Sequence, residues 1–382
     1  GYHRVLATDL SPAAVASLRE GVPPVAEPGL PDLLAAKLAA GSLAVLDPDD
    51  PRLGEADVVV LTLDVEVGDD DAPLLDSVER TAERIGTLLR RCVPLVVMSQ
   101  VPVGTSERLA AASGARAGAP LPVACVPENL RLGSALEGFF HPDRLVVGAD
   151  DEAARAAAAG LFAGVDCPVL HMGLRSAEMS KHALNAYLAT CISFAGEISD
   201  LCEVAGADAH DVVRALRSDA RVSPRAPIGP GLGFAGGTLG RDLRHLAHIG
   251  EEGGVPTPLT GAVRAVNRSR IEMVSRRLAR RLGGTGGGGP GDAMAGAVVA
   301  LLGLTYKPGT DTLRRSQSLE VARALAGAGA EVRGHDPAVP PARAAECGFE
   351  VAPDPYAAAA GADAVVVMTP WPAYRELDLG RL

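Results

Sequence analysis

A lysine and an asparagine, Lys181 and Asn185, stand four residues apart in a segment with a helical pattern. Residues at this spacing share one face of a helix, so the two side chains can address the same ligand atom. An ammonium supplies positive charge and an amide supplies a directed N–H, which together stabilise an oxyanion. A solvated helix face is the alternative interpretation of the same pair.

The composition draws attention to this pair, because lysine and asparagine are both rare in the chain. Lysine and arginine number 36 together, yet only three of these residues are lysines. A planar guanidinium does not replace a compact ammonium at every site, so each lysine marks a position where the exchange could matter. The rare residues are Lys37, Lys181 and Lys307, with Asn129, Asn185 and Asn267.

Several other side chains stand where parallel sheets bind ligands, although each also fits a purely structural role. Asp9 ends the first expected strand, where an acid accepts hydrogen bonds from the ribose of NAD. Glu128 follows the expected strand 122–126, and Asp242 lies at the start of a helical stretch. Lys307, near a strand end and a helix start, suits an anionic ligand such as a phosphate.

A formal GxGxxG pattern occurs at 231–236, but we do not interpret it as a dinucleotide-binding loop. That fingerprint follows a strand, whereas this segment follows the proline-rich stretch 224–230. The glycines instead predict a backbone that passes close to a ligand or adopts a positive φ. A plain connecting loop is the alternative.

Apolar runs of strand length alternate with helical patterns in the first part of the chain, which indicates βαβ units and a parallel sheet. A long stretch without strand character, 176–282, predicts helices interrupted by one loop at 223–237. A second alternating unit follows it. The expected strands are 5–7, 58–63, 94–98, 122–126, 145–147, 298–302, 331–334 and 364–368, and helices are expected at 74–91 and 152–162.

The predicted fold class is therefore α/β, with two doubly wound Rossmann-like domains joined by a helical middle domain. We expect the first domain at 1–172, the helical domain at 173–282, a glycine-rich linker at 283–296 and the second α/β domain at 297–382. The chain lacks an initiator Met and starts close to its first strand. We therefore expect it to be truncated at both ends, without the N-terminal strand and its glycine-rich loop.

Composition and charge exclude several classes of protein. With 47% hydrophobic and 22% charged residues, the chain is typical of a folded globular protein. A net charge of -11 argues against a nucleic-acid partner, because no basic surplus neutralises phosphates. No uncharged apolar stretch reaches the ~18–20 residues that cross a bilayer, which argues against a membrane protein. Six scattered cysteines predict reduced thiols, a cytoplasmic location and no metal site.

Several short motifs resemble, in chain order, those of the UDP-glucose/GDP-mannose dehydrogenase family (the nucleotide-sugar 6-dehydrogenases). Residues 27–30 resemble the family's EPGL, and 99–105 resemble STVPVGT. The segment 127–135 resembles PEFLREGxA, and 177–185 is similar to AExxKxxxN. Finally, 233–242 lies where the family has GFGGSCFPKD, and 306–316 resembles FKxxTDDxRxS. The resemblance extends over nearly the whole chain.

This resemblance implies a dehydrogenase that binds NAD in its first domain and a UDP- or GDP-sugar between its two α/β domains. Members oxidise the C6 alcohol of the sugar to a carboxylate in two hydride transfers, and a long central helix pairs two copies into a homodimer. The residues implied at the NAD site are Asp9, Leu63, Ser99, Gln100, Val101, Leu132 and Arg314. Those implied at the nucleotide sugar are Glu128, Asn129, Leu130, Arg131, Lys181, Asn185, Arg221, Gly233, Phe234, Tyr306 and Lys307.

The resemblance also implies catalytic roles, and one motif position departs from them. Lys181 and Asn185 would stabilise the oxyanion, while Asp242 and Glu128 would orient a water or accept a proton. Thr238 stands where the family has the cysteine whose thiolate attacks the aldehyde. A threonine hydroxyl is a far weaker nucleophile without an activating base. Further departures are Gln100, Asn129, Leu132 and Arg241, in place of Thr, Phe, Glu and Lys.

Three functions stay open on the sequence alone. The first is an NAD-dependent dehydrogenase that performs one oxidation, or completes the second through the aldehyde hydrate. The second is an isomerase or epimerase that transiently oxidises the sugar with bound NAD, which would suit the loss of the cysteine. The third is a homologue that binds a nucleotide sugar without catalysis. Retention of Lys181, Asn185 and Asp242 favours the first, and net formation of NADH distinguishes it from the others.

Overall fold

The computed structural model describes residues 3–68, 73–114, 118–235, 237–283 and 294–382. The chain divides into two compact units, residues 1–183 and 184–382. The first unit is built around parallel sheets flanked by helices, and the second combines long helices with a parallel sheet of its own. The predicted α/β fold class with a helical middle part is thereby confirmed.

The described residues of the first unit form two short two-stranded sheets and a larger sheet of five strands. Strand β1 (Val5–Ala7) pairs in parallel with β2 (Leu43–Val45), and β4 (Glu66–Val67) pairs with β5 (Pro73–Leu74) in an antiparallel manner. The larger sheet consists of β3 (Val59–Leu61), β6 (Leu95–Val97), β7 (Val123–Cys125), β8 (Leu145–Ala149) and β9 (Val169–Met172). Its order is β3-β6-β7-β8-β9, and its neighbours are parallel except for β7 and β8.

The strands that the sequence predicts in this unit all form, and each ends within two residues of its expected limits. Strands β2, β4, β5 and β9 lie outside the predicted set. β9 is an edge strand whose Val169 and Leu170 are exposed, so it lacks the continuous apolar burial on which the prediction depends. The antiparallel β7–β8 pair also differs from the expected parallel sheet, because an apolar run does not encode strand direction.

Helices flank these sheets, and side chains define where several of them begin. Ser11 accepts the N–H of Ala14, and Asp151 accepts the N–H of Ala154, which are N-cap hydrogen bonds. The observed α3 and α6 confirm the predicted helices 74–91 and 152–162. The helices are α1 (Pro12–Arg19), α2 (Leu30–Ala39), α3 (Asp76–Leu88), α4 (Thr105–Gly114), α5 (Ala135–Phe140) and α6 (Glu152–Leu161), with a 3-10 helix at Pro51–Glu55.

Strand β6 of the five-stranded sheet, which lies between β3 and β7, is buried on both faces. Leu95 and Val97 pack into one hydrophobic cluster, whereas Val96 packs into another. This two-sided burial is the usual condition of a parallel strand that helices cover on both faces. Gly148 in β8 lets the next helix, α7 (Leu174–Ala205), lie against the sheet, because a Cβ there would stand 2.3 Å from the Cβ of Ala177. The sheet thus positions the helix that carries Lys181.

Helices dominate the first part of the second unit, as the sequence predicts for 176–282. Helix α7 begins in the first unit and continues into the second. It is followed by α8 (Ala209–Ser218), α9 (Thr238–Gly253) and α10 (Pro258–Leu282), and the predicted loop falls between α8 and α9. Most of the predicted linker 283–296, namely 284–293, lies outside the described residues.

The remainder of the second unit is a four-stranded sheet whose described strands are all parallel. The strands are β10 (Val298–Leu302), β11 (Glu331–His335), β12 (Glu350–Val351) and β13 (Ala364–Val367), in the order β12-β11-β10-β13. Three of them were expected at 298–302, 331–334 and 364–368, which is confirmed. The helices are α11 (Gln317–Gly327), α12 (Ala344–Cys347) and α13 (Pro355–Ala359), with 3-10 helices at Pro341–Arg343 and Pro372–Glu376.

One buried carboxylate joins the chain segments at the carboxyl edge of this sheet. Asp336 follows β11 and accepts the N–H groups of Leu304 and Thr305, at 2.7 and 3.0 Å, from the segment that follows β10. It also accepts the indole N–H of Trp371 at 3.0 Å. These bonds hold in place the backbone that leads directly to Tyr306 and Lys307.

In the part of the chain that the structure describes, none of the helices has the length and apolar character needed to cross a membrane.

Candidate active site

Lys181 is a buried lysine whose ammonium is directed at the loop after β7. It lies on α7, and its Nζ donates a hydrogen bond to Oδ1 of Asn129 at 3.1 Å. Asn129 itself is exposed. A buried ammonium requires polar partners to offset its lost hydration. The amide oxygen of Asn129 is one such partner, and it brings two of the predicted substrate residues together.

The loop that carries Asn129 is held at both ends by carboxylates. The Glu128 carboxylate accepts the N–H of Leu130, two residues further along. Glu27 is buried and accepts the N–H groups of Gly133 and Ala135, at 2.5 and 2.7 Å. Hydrogen bonds to an ionised acceptor are stronger than neutral ones. The EPGL motif therefore supplies the anchor for the loop of predicted substrate residues.

A second buried acid holds the loop between β6 and α4. Glu178 lies three residues before Lys181 on α7 and accepts the N–H groups of Gly104 and Ser106, at 2.5 and 2.8 Å. His182 directly follows Lys181 on this helix, and its Nε2 lies 2.9 Å from the carbonyl oxygen of Val101. The segment of α7 around Lys181 is thus tied to this loop on both sides.

Asn185 and Asp242 form a buried pair in the second unit. The Asn185 amide donates from Nδ2 to Oδ2 of Asp242 at 2.5 Å, and the Asp242 side chain is 0% exposed. The guanidinium Nε of the buried Arg241 lies 3.5 Å from the other carboxylate oxygen of Asp242. A buried carboxylate requires such charged and hydrogen-bonding partners. The pair fixes the orientation of the Asn185 amide, which the sequence predicts to address an oxyanion.

Thr238 is the first residue of α9 and is exposed. The loop before it contains Gly233, whose φ of +94° lies in the region that favours glycine, and the buried Phe234. Among the described residues before Gly233, the segment 219–232 contains no strand, which agrees with our rejection of the GxGxxG pattern as a dinucleotide loop. Gly236 of that pattern lies outside the described residues.

Tyr306 and Lys307 lie in the turn that follows β10. The Tyr306 N–H donates to the carbonyl oxygen of Thr312 at 3.1 Å, and Nζ of Lys307 stands 5.6 Å from the centre of the Tyr306 ring. Burial raises the pKa of the Tyr306 hydroxyl, so this group stays a neutral donor and acceptor. Arg314 is exposed, and Arg221 is exposed with its guanidinium paired to Asp219.

The predicted NAD residues of the first unit lie at or beyond the carboxyl ends of strands. Leu63 follows β3, and Ser99 follows β6, with Oγ of Ser99 3.4 Å from the carbonyl oxygen of Leu61. Because β3 and β6 are parallel neighbours, these segments share one sheet edge, where doubly wound folds bind ligands. Asp9 follows β1 and accepts the N–H of Ser11 at 2.7 Å. Each of these residues therefore lies after a parallel strand, as predicted NAD-binding residues should.

Several residues that organise the site escape the sequence analysis. Glu27 and Glu178 stand inside quoted motifs, but their acceptor roles become visible only with the loops they bind. Asn267 stands out in the sequence only because asparagine is rare in this chain, and this rarity is a signal that could have pointed to it. Arg270 and Gln317, which bind the glycine-rich loop, stand out by neither composition nor spacing.

The described residues contain no cluster of histidine, cysteine and acidic side chains that could hold a metal ion. The six cysteines are free thiols, and burial raises the pKa of the Cys125 thiol to about 12. None of the six stands in the segment 231–242 that carries Thr238. This segment therefore contains no cysteine that could replace the family's nucleophile.

Fold and site together define a class of protein. Sheets with parallel strands, residues predicted to bind ligands at their carboxyl edges, an acid after β1 and a buried lysine on the long helix α7 fit an NAD-dependent dehydrogenase. Three models of one family match the chain in succession. The NAD binding domain of the UDP-glucose/GDP-mannose dehydrogenase family matches residues 2–166, its central domain 175–269 and its UDP binding domain 300–382.

Relatives of known activity match along nearly the whole chain. UDP-glucose 6-dehydrogenase of Pseudomonas aeruginosa is 36% identical over 383 residues, which covers 96% of this chain and 83% of that protein. The enzyme of the same name from Rhizobium meliloti is 34% identical over 389 residues, which covers 100% and 87%. A solved UDP-glucose dehydrogenase from the archaeon Pyrobaculum islandicum matches with a TM-score of 0.89 at 36% identity, over 98% of this chain and 86% of that one.

The chain therefore belongs to the UDP-glucose/GDP-mannose dehydrogenase family. It is an NAD-dependent nucleotide-sugar dehydrogenase, and the expectation of NAD as its cofactor is confirmed.

Removal of the Glu178 carboxylate tests the anchoring of the β6–α4 loop. We expect Glu178→Ala to lower the free energy of unfolding by about 2–3 kcal/mol, because two backbone N–H groups lose a charged acceptor in a buried site. Urea unfolding followed by circular dichroism measures this. The control Glu83→Ala, at an exposed position of α3, should change stability by less than about 0.5 kcal/mol. Equal, small effects of both substitutions would contradict the anchoring role.

Proposed function

We propose that this protein oxidises the primary alcohol of a UDP- or GDP-linked hexose with NAD and stops at the aldehyde, after one hydride transfer. The observation that carries this proposal is Thr238, an exposed threonine at the start of α9 where the family's motif has cysteine. The intact Lys181, Asn185 and Asp242 support the first oxidation. Thr238 argues against the second.

The second oxidation requires a nucleophile that adds to the aldehyde. A thiolate adds readily, and the resulting thiohemiacetal can release a second hydride before hydrolysis. A hydroxyl needs an adjacent base to reach comparable reactivity. The predicted base nearest to Thr238 in sequence, Asp242, is already engaged, since it accepts from Asn185 and pairs with Arg241. Aldehyde release is therefore the outcome that these residues favour.

The first oxidation needs an acceptor for the hydroxyl proton and a positive environment for the alkoxide. Lys181 and Asn185 lie four residues apart on α7, so we assign the ammonium and the amide to the alkoxide oxygen. Asp242 holds the Asn185 amide, while Asn129 holds the ammonium. We assign the acceptance of the proton, or the orientation of a water, to Glu128, because Asp242 is engaged by Asn185 and Arg241. Bound NAD supplies the hydride acceptor.

The remaining site residues are assigned by position and charge. Gly233, Phe234, Tyr306 and Lys307 would contact the nucleotide, with the Lys307 ammonium directed to a phosphate. Arg221 would add a second cation. Leu130 and Arg131, on the loop held by Glu128 and Glu27, would line the sugar. The residues assigned to NAD are Asp9, Leu63, Ser99, Gln100, Val101, Leu132 and Arg314.

The stoichiometry of NADH tests the one-step proposal. We expect the protein, incubated with UDP-glucose or GDP-mannose, to form one NADH per sugar and an aldehyde. Thr238→Cys should raise this ratio towards two and give a carboxylate, because it restores the thiol. Thr238→Ser, which changes the residue without supplying a thiol, is the control and should stay at one. NADH absorbance and the product mass are followed together.

Two results would contradict the proposal. Two NADH per sugar with a carboxylate product from the unaltered protein would show that Thr238 does not block the second step. An isomerised sugar without NADH would indicate an isomerase instead.

The oxyanion role of Lys181 is tested separately. We expect Lys181→Arg to reduce kcat by about 100-fold or more, because a guanidinium does not reproduce the position of the ammonium. The initial rate of NADH formation measures the loss, and circular dichroism checks that the fold persists. Lys37→Arg, at an exposed lysine on α2 that belongs to no motif, should leave the rate unchanged. Full activity of Lys181→Arg would remove Lys181 from the oxyanion site.

We also infer that two copies of the chain pair through α7. Tyr187, Phe194 and Leu201 recur every seven residues along this helix and are 57%, 49% and 56% exposed. A heptad spacing places apolar side chains in one stripe, and such a stripe on a protein surface is typical of an interaction site. The inference accords with the homodimer that the family resemblance implies.

A charge placed in this stripe tests the pairing. We expect Phe194→Glu to convert a dimer into a monomer, because the interface would then bury an unpaired carboxylate. Size-exclusion chromatography with light scattering measures the molar mass. Val255→Glu, at an exposed apolar residue between α9 and α10, should leave the dimer intact. A monomeric unaltered protein, or a dimer of the Phe194→Glu variant, would contradict the inference.

A further inference from the structure

Asn267 is the third of the three asparagines, and it lies on α10 outside every quoted motif. Its Oδ1 accepts the N–H of Phe234 at 2.8 Å, and its Nδ2 donates to the carbonyl oxygen of Phe234 at 3.1 Å. One side-chain amide thus satisfies both backbone polar groups of a single loop residue. An amide suits this task because it combines a donor and an acceptor in one plane.

Gly233 and Asn267 fit each other closely. A Cβ on residue 233 would stand 2.3 Å from Oδ1 of Asn267, a distance that real Cβ atoms do not reach. Gly233 also has a φ of +94°, which other residues rarely adopt. The glycine is therefore required both by its backbone conformation and by the approach of the amide.

Two further side chains bind the neighbouring residues of the same loop. Arg270, one turn after Asn267 on α10, is buried and donates from Nη2 to the carbonyl oxygen of Gly231 at 2.9 Å. Gln317, the first residue of α11, donates from Nε2 to the carbonyl oxygen of Leu232 at 2.6 Å. The backbone of 231–234 is thus held by side chains from two helices.

This loop also connects to the buried core beside Asp242. Phe234 packs in one cluster with Ala189 of α7, Leu243 of α9 and Val263 of α10. The Phe234 side chain is thus held by residues of three helices, while Asn267 holds its backbone. Asp242 keeps its own partners, Asn185 and Arg241, so the contacts of Asn267 act on the loop backbone and not on this carboxylate.

From this geometry we propose that Asn267 is a positioning residue that sets the affinity for the nucleotide sugar. It holds the Gly233–Phe234 backbone, which the proposed function assigns to the nucleotide sugar, and this inference rests on that assignment. Loss of the amide would let the backbone move away from the bound nucleotide. The affinity for NAD and the rate of hydride transfer do not depend on this backbone to the same extent.

Substitutions at Asn267 and Gly233 test the proposal by separating KM from kcat. We expect Asn267→Leu, which removes both hydrogen bonds, to raise KM for the nucleotide sugar by about tenfold or more. The KM for NAD and kcat should change by less than about threefold. A merely structural role would instead lower the fraction of folded enzyme, which reduces kcat and leaves KM unchanged.

Three variants guard against a failure to fold. Asn267→Asp keeps the acceptor and loses the donor, so its KM should lie between those of the unaltered protein and Asn267→Leu. Gly233→Ala displaces the same amide from the loop side and should raise KM similarly. Arg268→Leu, at the exposed neighbouring position on α10, is the control and should change neither constant.

Calorimetric binding of UDP-glucose and GDP-mannose without NAD distinguishes the possible failures. If the unaltered protein binds a nucleotide sugar and folded Asn267→Leu binds it equally well, this inference is overturned and the proposed function stands. If the unaltered protein binds neither sugar nucleotide, the proposed function and this inference are both overturned. A tenfold or larger loss of affinity in the variant, with intact NAD binding, is the expected result.

Discussion

The predicted site residues of the first unit depend on one interaction, in which the N–H groups of Gly104 and Ser106 donate hydrogen bonds to the buried Glu178 carboxylate. An unpartnered charge at that depth would cost several kcal/mol, so these hydrogen bonds stabilise the contact between the helix and the loop. Glu178 shares α7 with Lys181, and the bond that secures the loop also fixes the turn that presents the ammonium. In the same way, Glu27 accepts two backbone N–H groups of the loop that carries Asn129. Loops at sheet edges have few backbone partners of their own, and acids on neighbouring elements supply them.

In the second unit, groups other than carboxylates bind the backbone of the loop. Asn267, Arg270 and Gln317 bind the backbone of the glycine-rich segment through amide and guanidinium groups. The buried carboxylate of Asp242 instead interacts with Asn185 and Arg241. All three asparagines of the chain thus make a contact at or beside the proposed site, with Lys181, Asp242 and Phe234 as partners. Asparagine is scarce in this sequence. Its amides occur where a donor and an acceptor are needed together, or where a charged group needs a neutral partner.

Much of the fold could be predicted from the sequence, because central strands such as 94–98 are continuous apolar runs and the helices of 176–282 are long. Strand β9 could not be predicted, because it is an exposed edge strand. The antiparallel pairing of β7 and β8 could not be predicted either, because the hydrophobic pattern does not encode strand direction. Lys181 and Asn185 were found because their spacing is local. Asn267 was not, because its partner lies 33 residues away and is backbone, which has no residue type to recognise. Family motifs predicted the site residues, whereas the residues that hold them are visible only in three dimensions.

The close fit of Gly233 to Asn267 has an evolutionary consequence. A side chain at 233 would collide with the amide, and a smaller residue at 267 would leave the Phe234 backbone without its two partners. Neither position can change alone without a loss, so the two are expected to diverge together or not at all. A descendant of this enzyme could therefore remodel the loop only by crossing a less stable intermediate sequence. That barrier would keep the loop's shape in place while exposed neighbours such as Thr238 remain open to exchange.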